Sequence, residues 1–155
     1  MTADISLMTT SLKSATARKL LVDLDAELTN LYPDHPYPPP FGDEEAKGVG
    51  SVLIAYHERR AAGCGAVRML DRDGGIAEVL RMYVMPSARR RGIGRTLLRG
   101  LESEAADMGA RRVVLETGDR QPDALALYER HGYERIDPWV DDPNPHSIFM
   151  GRDLS

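Results

Sequence analysis

A single cysteine, Cys64, leaves this chain no internal disulfide and fits a reducing compartment. It sits in Gly63-Cys-Gly-Ala with no histidine or asparagine partner around it, which favours a packing thiol over a nucleophile. The four histidines, at 35, 57, 131 and 146, show no metal-site spacing, and no metal is expected. Long apolar runs are missing as well, and none reaches the length that spans a bilayer. The opening residues Met-Thr-Ala-Asp-Ile lack the basic region and apolar core of a secretory leader. These absences point to a cytoplasmic protein with no membrane partner. Positive charge is also short: the net charge of −4 argues against a general nucleic-acid binder.

At 155 residues, 42% of them hydrophobic, the chain can bury one real core and has no room for two comfortable ones. We therefore expect one domain over 1–155. Its positive charge is local, concentrated in Arg89-Arg90-Arg91-Gly92-Ile93-Gly94-Arg95. A basic island in an acidic chain favours a small polyanion over a duplex.

Ile5 and Leu7 alternate with polar residues and suggest a short strand. Ser14 is a plausible N-cap for a helix over 15–31, where Leu20, Leu21, Leu24, Leu28 and Leu31 recur at helical spacing. Five prolines between 33 and 40 end it and predict an extended loop over the surface. A meander follows, with strands over 51–56, 63–70 and 76–84 and turns over 57–63 and 71–75. Ile93, Leu97, Leu98, Leu101, Ala105 and Met108 form one face of a second helix that stops near Gly109. A buried strand over 113–117, a helix from Pro122 to His131 and short strands over 133–136 and 147–150 complete the chain. The order β-α-loop-β-β-β-α-β-α-β-β predicts a mixed α/β domain. Its central strand–helix–strand crossover makes two strands parallel.

Residues 81–98 are where chemistry concentrates. An apolar strand stops at Pro86, a basic turn with Gly92 and Gly94 follows, and a helix begins at Ile93. Backbone N–H groups at a helix start lack partners and carry part of the dipole's positive charge. Glycines let the main chain approach a ligand. This is a phosphate site by physics alone. The dinucleotide-binding motif needs a third glycine where Leu97 stands, although Glu116 does end the next strand. A P-loop needs Gly-Lys-Ser/Thr, which is absent.

The motifs resemble the GNAT superfamily of acyl-CoA-dependent N-acetyltransferases. That family's cofactor motif, Gln/Arg-x-x-Gly-x-Gly/Ala after a strand ending Val-x-Pro, stands here as Val84-Met-Pro86 and then Arg89-Arg-Arg-Gly92-Ile-Gly94. Its second motif, Leu-Tyr-x-x-x-Gly-Phe/Tyr, stands as Leu127-Tyr128-Glu-Arg-His-Gly132-Tyr133. The element string matches over about 4–151. The resemblance implies a GNAT-like α/β (α+β) fold, with a mixed, mostly antiparallel sheet splayed at the cofactor site and flanked by helices. It also implies acetyl-CoA as co-substrate. Backbone groups from Arg91 through Gly92, Ile93, Gly94, Arg95 and Thr96 would hold the pyrophosphate, with Arg89, Arg90 and Arg91 adding side-chain contacts. Met82, Tyr83 and Val84 would line the pantetheine arm, with main-chain groups of Met82 and Val84 pairing to it as to an extra strand. Gln121, where relatives carry Asn, and Ala124 would contact the cofactor. Tyr128 takes the place of the family's general acid.

Amine acetylation also needs a base, and Glu78 and then Glu116 are the candidates. Strand parity places Glu78 and Met82 on one face, a count that a bulge would break. The acceptor pocket is expected between the first helix with its proline-rich loop and the final hairpin. Glu27, Tyr32, His35 and Tyr37 would stand on one side, and Trp139, Asp141 and Asp142 on the other. Aromatic and acidic groups suit a cationic amine of a small molecule or peptide. The expected activity is direct acetyl transfer in a ternary complex. A non-catalytic acyl-CoA sensor is the alternative, and a homodimer is compatible with either.

Overall fold

The computed structural model describes residues 4–34 and 48–154. Most of the proline-rich loop, with the acceptor candidates His35 and Tyr37, lies outside the described residues. Ile5–Thr10 forms β1. The helix that follows starts at Ser14, whose backbone is extended and whose Oγ accepts a hydrogen bond from Ala17 N–H at 3.1 Å. This helix, α1 (Ala15–Leu31), buries Ala17, Leu20, Leu21, Leu24 and Leu28, the stripe the leucine spacing predicts.

The meander consists of β2 (Val49–His57), β3 (Arg60–Asp71) and β4 (Ile76–Val84). Its first turn is tighter than the sequence suggests. Glu58 and Arg59 alone make it, at φ 51° and 69°, so that His57 still pairs with Arg60. Two successive positive φ values are the type I′ geometry that matches strand twist, and no glycine was needed to achieve it here. After a short 3₁₀ turn at Pro86–Ala88 come α2 (Ile93–Asp107), β5 (Arg112–Gly118), α3 (Pro122–Arg130), β6 (Glu134–Arg135) and β7 (Ser147–Asp153).

One seven-stranded sheet results, in the order β1-β2-β3-β4-β5-β7-β6. Among the described residues only β4 and β5 run parallel, joined by α2 as the crossover pattern requires. α2 packs Leu97, Leu98 and Leu101 on one face, each fully buried and contributing about 2 kcal/mol. Gly63 and Gly65 in β3 permit that close approach. A Cβ at Gly65 would lie 2.6 Å from Leu101 Cδ1, and one at Gly63 would lie 3.1 Å from Leu97 Cδ1. α1 packs on the opposite face against Ile54, Cys64 and Tyr83.

The feature that positions the site is a break in β4. Its pairing with β5 covers only Ile76–Val79 against Arg112–Leu115, after which the two strands part. At that point Arg81 has φ 57°, and Arg81 and Met82 together oppose the single Gly65. This is a β-bulge, which sharpens twist and bends the strand. It also inverts side-chain parity. Val79, Met82 and Val84 pack on the α2 side, whereas Leu80 and Tyr83 pack on the other. Glu78 and Met82 therefore lie on opposite faces, contrary to the simple count.

Candidate functional site

Where β4 and β5 part, a cleft of about 920 Å³ opens. Met82, Tyr83 and Val84 form its floor, the start of α2 forms one wall and α3 another. Leu24, Glu27 and Leu31 of α1 close it from across the sheet. The turn into α2 has the conformation the two glycines suggest. Gly92 is the N-cap at φ 82°, and Thr96 Oγ1 donates to Gly92 O at 2.9 Å, pinning the first turn. A Cβ at Gly94 would sit 3.2 Å from Leu127 Cδ2, so glycine lets α3 close against the helix start.

The cleft is cationic at this end. Arg90 and Arg95 line it, joined by Arg120, Arg130 and His131. Burial, and then Arg99, push the His131 imidazole below its usual range, so it offers a neutral ring rather than a further charge. Arg89 is committed elsewhere. Its Nη2 donates to Glu27 Oε1 at 2.6 Å and its Nε to Val84 O at 2.9 Å. Arg91 does not line the cleft, and neither does Thr96, whose hydroxyl serves the helix cap.

Tyr128 reaches the same cleft from α3. Its ring meets Tyr133 edge-on at 5.9 Å, and its hydroxyl faces Met82 Sδ at 4.0 Å, a distance that barely amounts to a contact. Burial alone pushes the phenol up to about 12. The spacing Tyr128-x-x-x-Gly132-Tyr133 now has a physical reading. Gly132, at φ 88°, reverses the chain after α3 so that Tyr133 turns back into the core. There Tyr133 Oη donates to the buried Glu102 Oε2 at 2.7 Å, and Arg152 Nη1 donates to the same oxygen at 2.9 Å. That network fixes α3 on α2, and with it Tyr128.

Glu27, Gln121 and Ala124 join Met82, Tyr83, Val84, Arg89, Arg90, Gly92, Ile93, Gly94, Arg95 and Tyr128 in lining the cleft. The remaining candidates lie elsewhere. Glu78 is nearly buried in an ion pair with Arg68 at 2.9 Å. Glu116, exposed at the end of β5, accepts a hydrogen bond from Ser147 Oγ. Trp139 packs edge-on against Phe149, with centroids 4.9 Å apart. Tyr32 is wholly buried, its Oη accepting from Arg120 N–H at 2.8 Å. Sequence reasoning missed Arg120, which stacks over Tyr32 at 5.3 Å and ties Leu31 O and Asp34 to the loop after β5. Its position beside Gln121 was the available signal. Arg120 in turn holds the Asp34 carboxyl down to about 2. Arg130 and His131 were also missed. They lie two and three residues past Tyr128, within one turn.

Comparison with known proteins agrees with the geometry. The family model described as "Acetyltransferase (GNAT) family" matches residues 17–133. A curated Azospirillum brasilense protein, named IAA acetyltransferase, is 37% identical over 137 residues, 88% of this chain and 89% of that protein. A solved structure from Klebsiella pneumoniae, assigned provisionally as an acyl-CoA N-acyltransferase, superposes with TM-score 0.80 at 29% identity, covering 98% and 99% of the two chains. An Elizabethkingia anophelis acetyltransferase solved with acetyl-CoA bound shares the fold at TM-score 0.68 and 18% identity, covering 97% and 99%.

Proposed function

This chain belongs to the acetyltransferase (GNAT) family, and on that premise we propose that it moves an acetyl group from acetyl-CoA to a primary amine, both bound at once. The observation that carries the proposal is that one cleft joins the glycine turn at the start of α2 to the buried hydroxyl of Tyr128. The residues fit the donor. Helix-start N–H groups and Arg90 and Arg95 suit a pyrophosphate, and the edge of β4 that β5 leaves at Met82 and at the Val84 N–H, with the Val84 carbonyl taken by Arg89, suits an extended amide-bearing arm. Bound there, acetyl-CoA supplies the acyl group as a thioester.

Main-chain N–H groups of β4 beyond the bulge stabilise charge on the carbonyl oxygen as the amine attacks. Tyr128 donates its proton to the departing sulfur. Burial keeps that phenol protonated at neutral pH, so the proton is present to be given. On the acceptor side, Glu78 is held in an ion pair with Arg68 at 2.9 Å and does not line the cleft. Glu116, exposed near the end of β5, is the second candidate outlet for the amine's proton, reached through water. The relative named for IAA favours a small molecule as acceptor.

The test is free-thiol release from acetyl-CoA across a panel of amines: polyamines, aminoglycosides, amino acids and peptides. Release that depends on an amine supports transfer. Tight acetyl-CoA binding with release no faster than hydrolysis would instead make the chain a sensor.

A further inference from the structure

Arg89 opens the glycine motif, and its charge invites the reading that it grips a phosphate. Its contacts are of another kind. Gly63 and Val84 face each other across β3 and β4 as a pair that exchanges no hydrogen bonds, since the flanking bond is Met85 N–H to Ala62 O at 2.8 Å. The N–H and C=O of Val84 therefore point away from β3, into the gap that β5 has left. Arg89 Nε occupies that carbonyl at 2.9 Å. The other end of the same guanidinium meets Glu27 Oε1 at 2.6 Å, and its Cζ lies 5.9 Å from the centre of the Tyr83 ring. One side chain thus joins three elements: the end of β4, the turn before α2, and α1. Glu27 and Arg89 are only partly exposed, at 30% and 37% of their side-chain surface, and both line the cleft.

The geometry points to Arg89 as a bolt, with Glu27 as its positioning residue. Together they set α1 against the open edge of β4 and shape the part of the cleft that takes the acyl arm, rather than contacting phosphate. Glu27 acts through Arg89 and is not an acceptor contact. The fork is what this role needs: Nε serves the carbonyl while Nη2 serves the carboxylate. Lysine keeps the charge but cannot span both. A phosphate contact, by contrast, would tolerate lysine well.

The functional half of this inference rests on the acyl-CoA reading, so its test carries one readout that does not. In ligand-free protein labelled with ¹⁵N, the Arg89 Nε–H resonance should be protected from exchange with water, and Glu27→Ala should abolish that protection. An unprotected Nε–H in the unaltered chain overturns the bolt whatever the ligand. Calorimetric titration with coenzyme A and with phosphate-free S-acetyl-N-acetylcysteamine then tests its role. Arg89→Lys and Glu27→Ala should each weaken both ligands roughly tenfold. The double variant should be little worse than either single one, and the acceptor KM should be unchanged. Weakening confined to the phosphate-bearing ligand, or Glu27→Ala acting only on the acceptor KM, overturns the inference. If the unaltered chain binds neither ligand, the acyl-CoA reading fails and the bolt's role in binding fails with it. A protected Nε–H then still marks the contact itself.

Discussion

At the scale of single residues, Tyr128 carries the most testable chemistry. Its ring is buried and its hydroxyl faces the Met82 sulfur at 4.0 Å among its described contacts. Tyr128→Phe should lower kcat by about 10²-fold, the lower range for a positioned acid, and leave coenzyme A affinity within a factor of two. Because burial holds the phenol near 12, activity should rise with pH as the acceptor amine loses its proton. It should show no falling limb below pH 10, as a kcat profile from pH 6 to 10 would establish. A falling limb near pH 8 that vanishes in Tyr128→Phe would show that the hydroxyl is less shielded than its burial implies. Gly92 gives a second residue-scale prediction. At φ 82° an alanine is strained, so Gly92→Ala should cost roughly 1 kcal/mol of stability and should distort the anion-binding turn. Thermal melting and coenzyme A titration would separate the two effects.

Among elements, the joint between α2 and α3 decides where Tyr128 points. Glu102 is buried on α2 and satisfied by Tyr133 and Arg152 together. Removing one donor leaves a buried carboxylate short of a partner, which costs about 1–3 kcal/mol. Tyr133→Phe should therefore lower the melting temperature by several degrees, and should lower kcat more than KM because Tyr128 loses its fixed position. An unchanged kcat with lowered stability would show that α3 is held by its other contacts. The β4 bulge is a second lesson at this scale. Alternation along Glu78-Val-Leu-Arg-Met-Tyr-Val reads as a regular strand, and nothing in those residue types announces the positive φ at Arg81. The break becomes intelligible once Gly65 is seen to leave room for Met82 on the facing strand and for Leu101 of α2.

Across the whole molecule, the open end of the sheet is held by charges from distant parts of the chain. Asp34, three residues past α1, pairs with Arg120 at 3.0 Å and faces His146 Nε2 at 3.6 Å, while His146 Nδ1 meets Asp119 at 3.0 Å. The sign of the resulting pH dependence follows from Asp34. Its folded pKa, about 2, lies below its ordinary value of 3.8. Its contribution is therefore full above pH 4 and is lost as pH falls towards 2. Asp34→Asn should lower the urea midpoint at pH 7 and leave it nearly unchanged at pH 2. An equal loss at both pH values would assign the effect to packing instead of charge. About half of the Asp34 side chain, 52%, is open to solvent, so the effect should shrink in high salt.

Much of this protein was settled by its sequence alone. Leucines at helical spacing, a serine cap, five prolines, and two glycines before an apolar helix face are local signals, and local signals survive without tertiary context. Among the described residues they identified every strand and every α-helix, and the turn at 89–96. The family resemblance could be read from two short motifs because each encodes backbone geometry: φ near 80–90° at Gly92 and at Gly132. Tertiary structure decided what those motifs face. Whether Arg89 points to a ligand or to Glu27 depends on a contact across 62 positions of chain, and whether Glu78 shares a face with Met82 depends on one bulge. Arg120 joins the cleft because Tyr32, 88 positions earlier, receives its N–H. Such pairings follow from how elements pack, and no local pattern of residue types contains them.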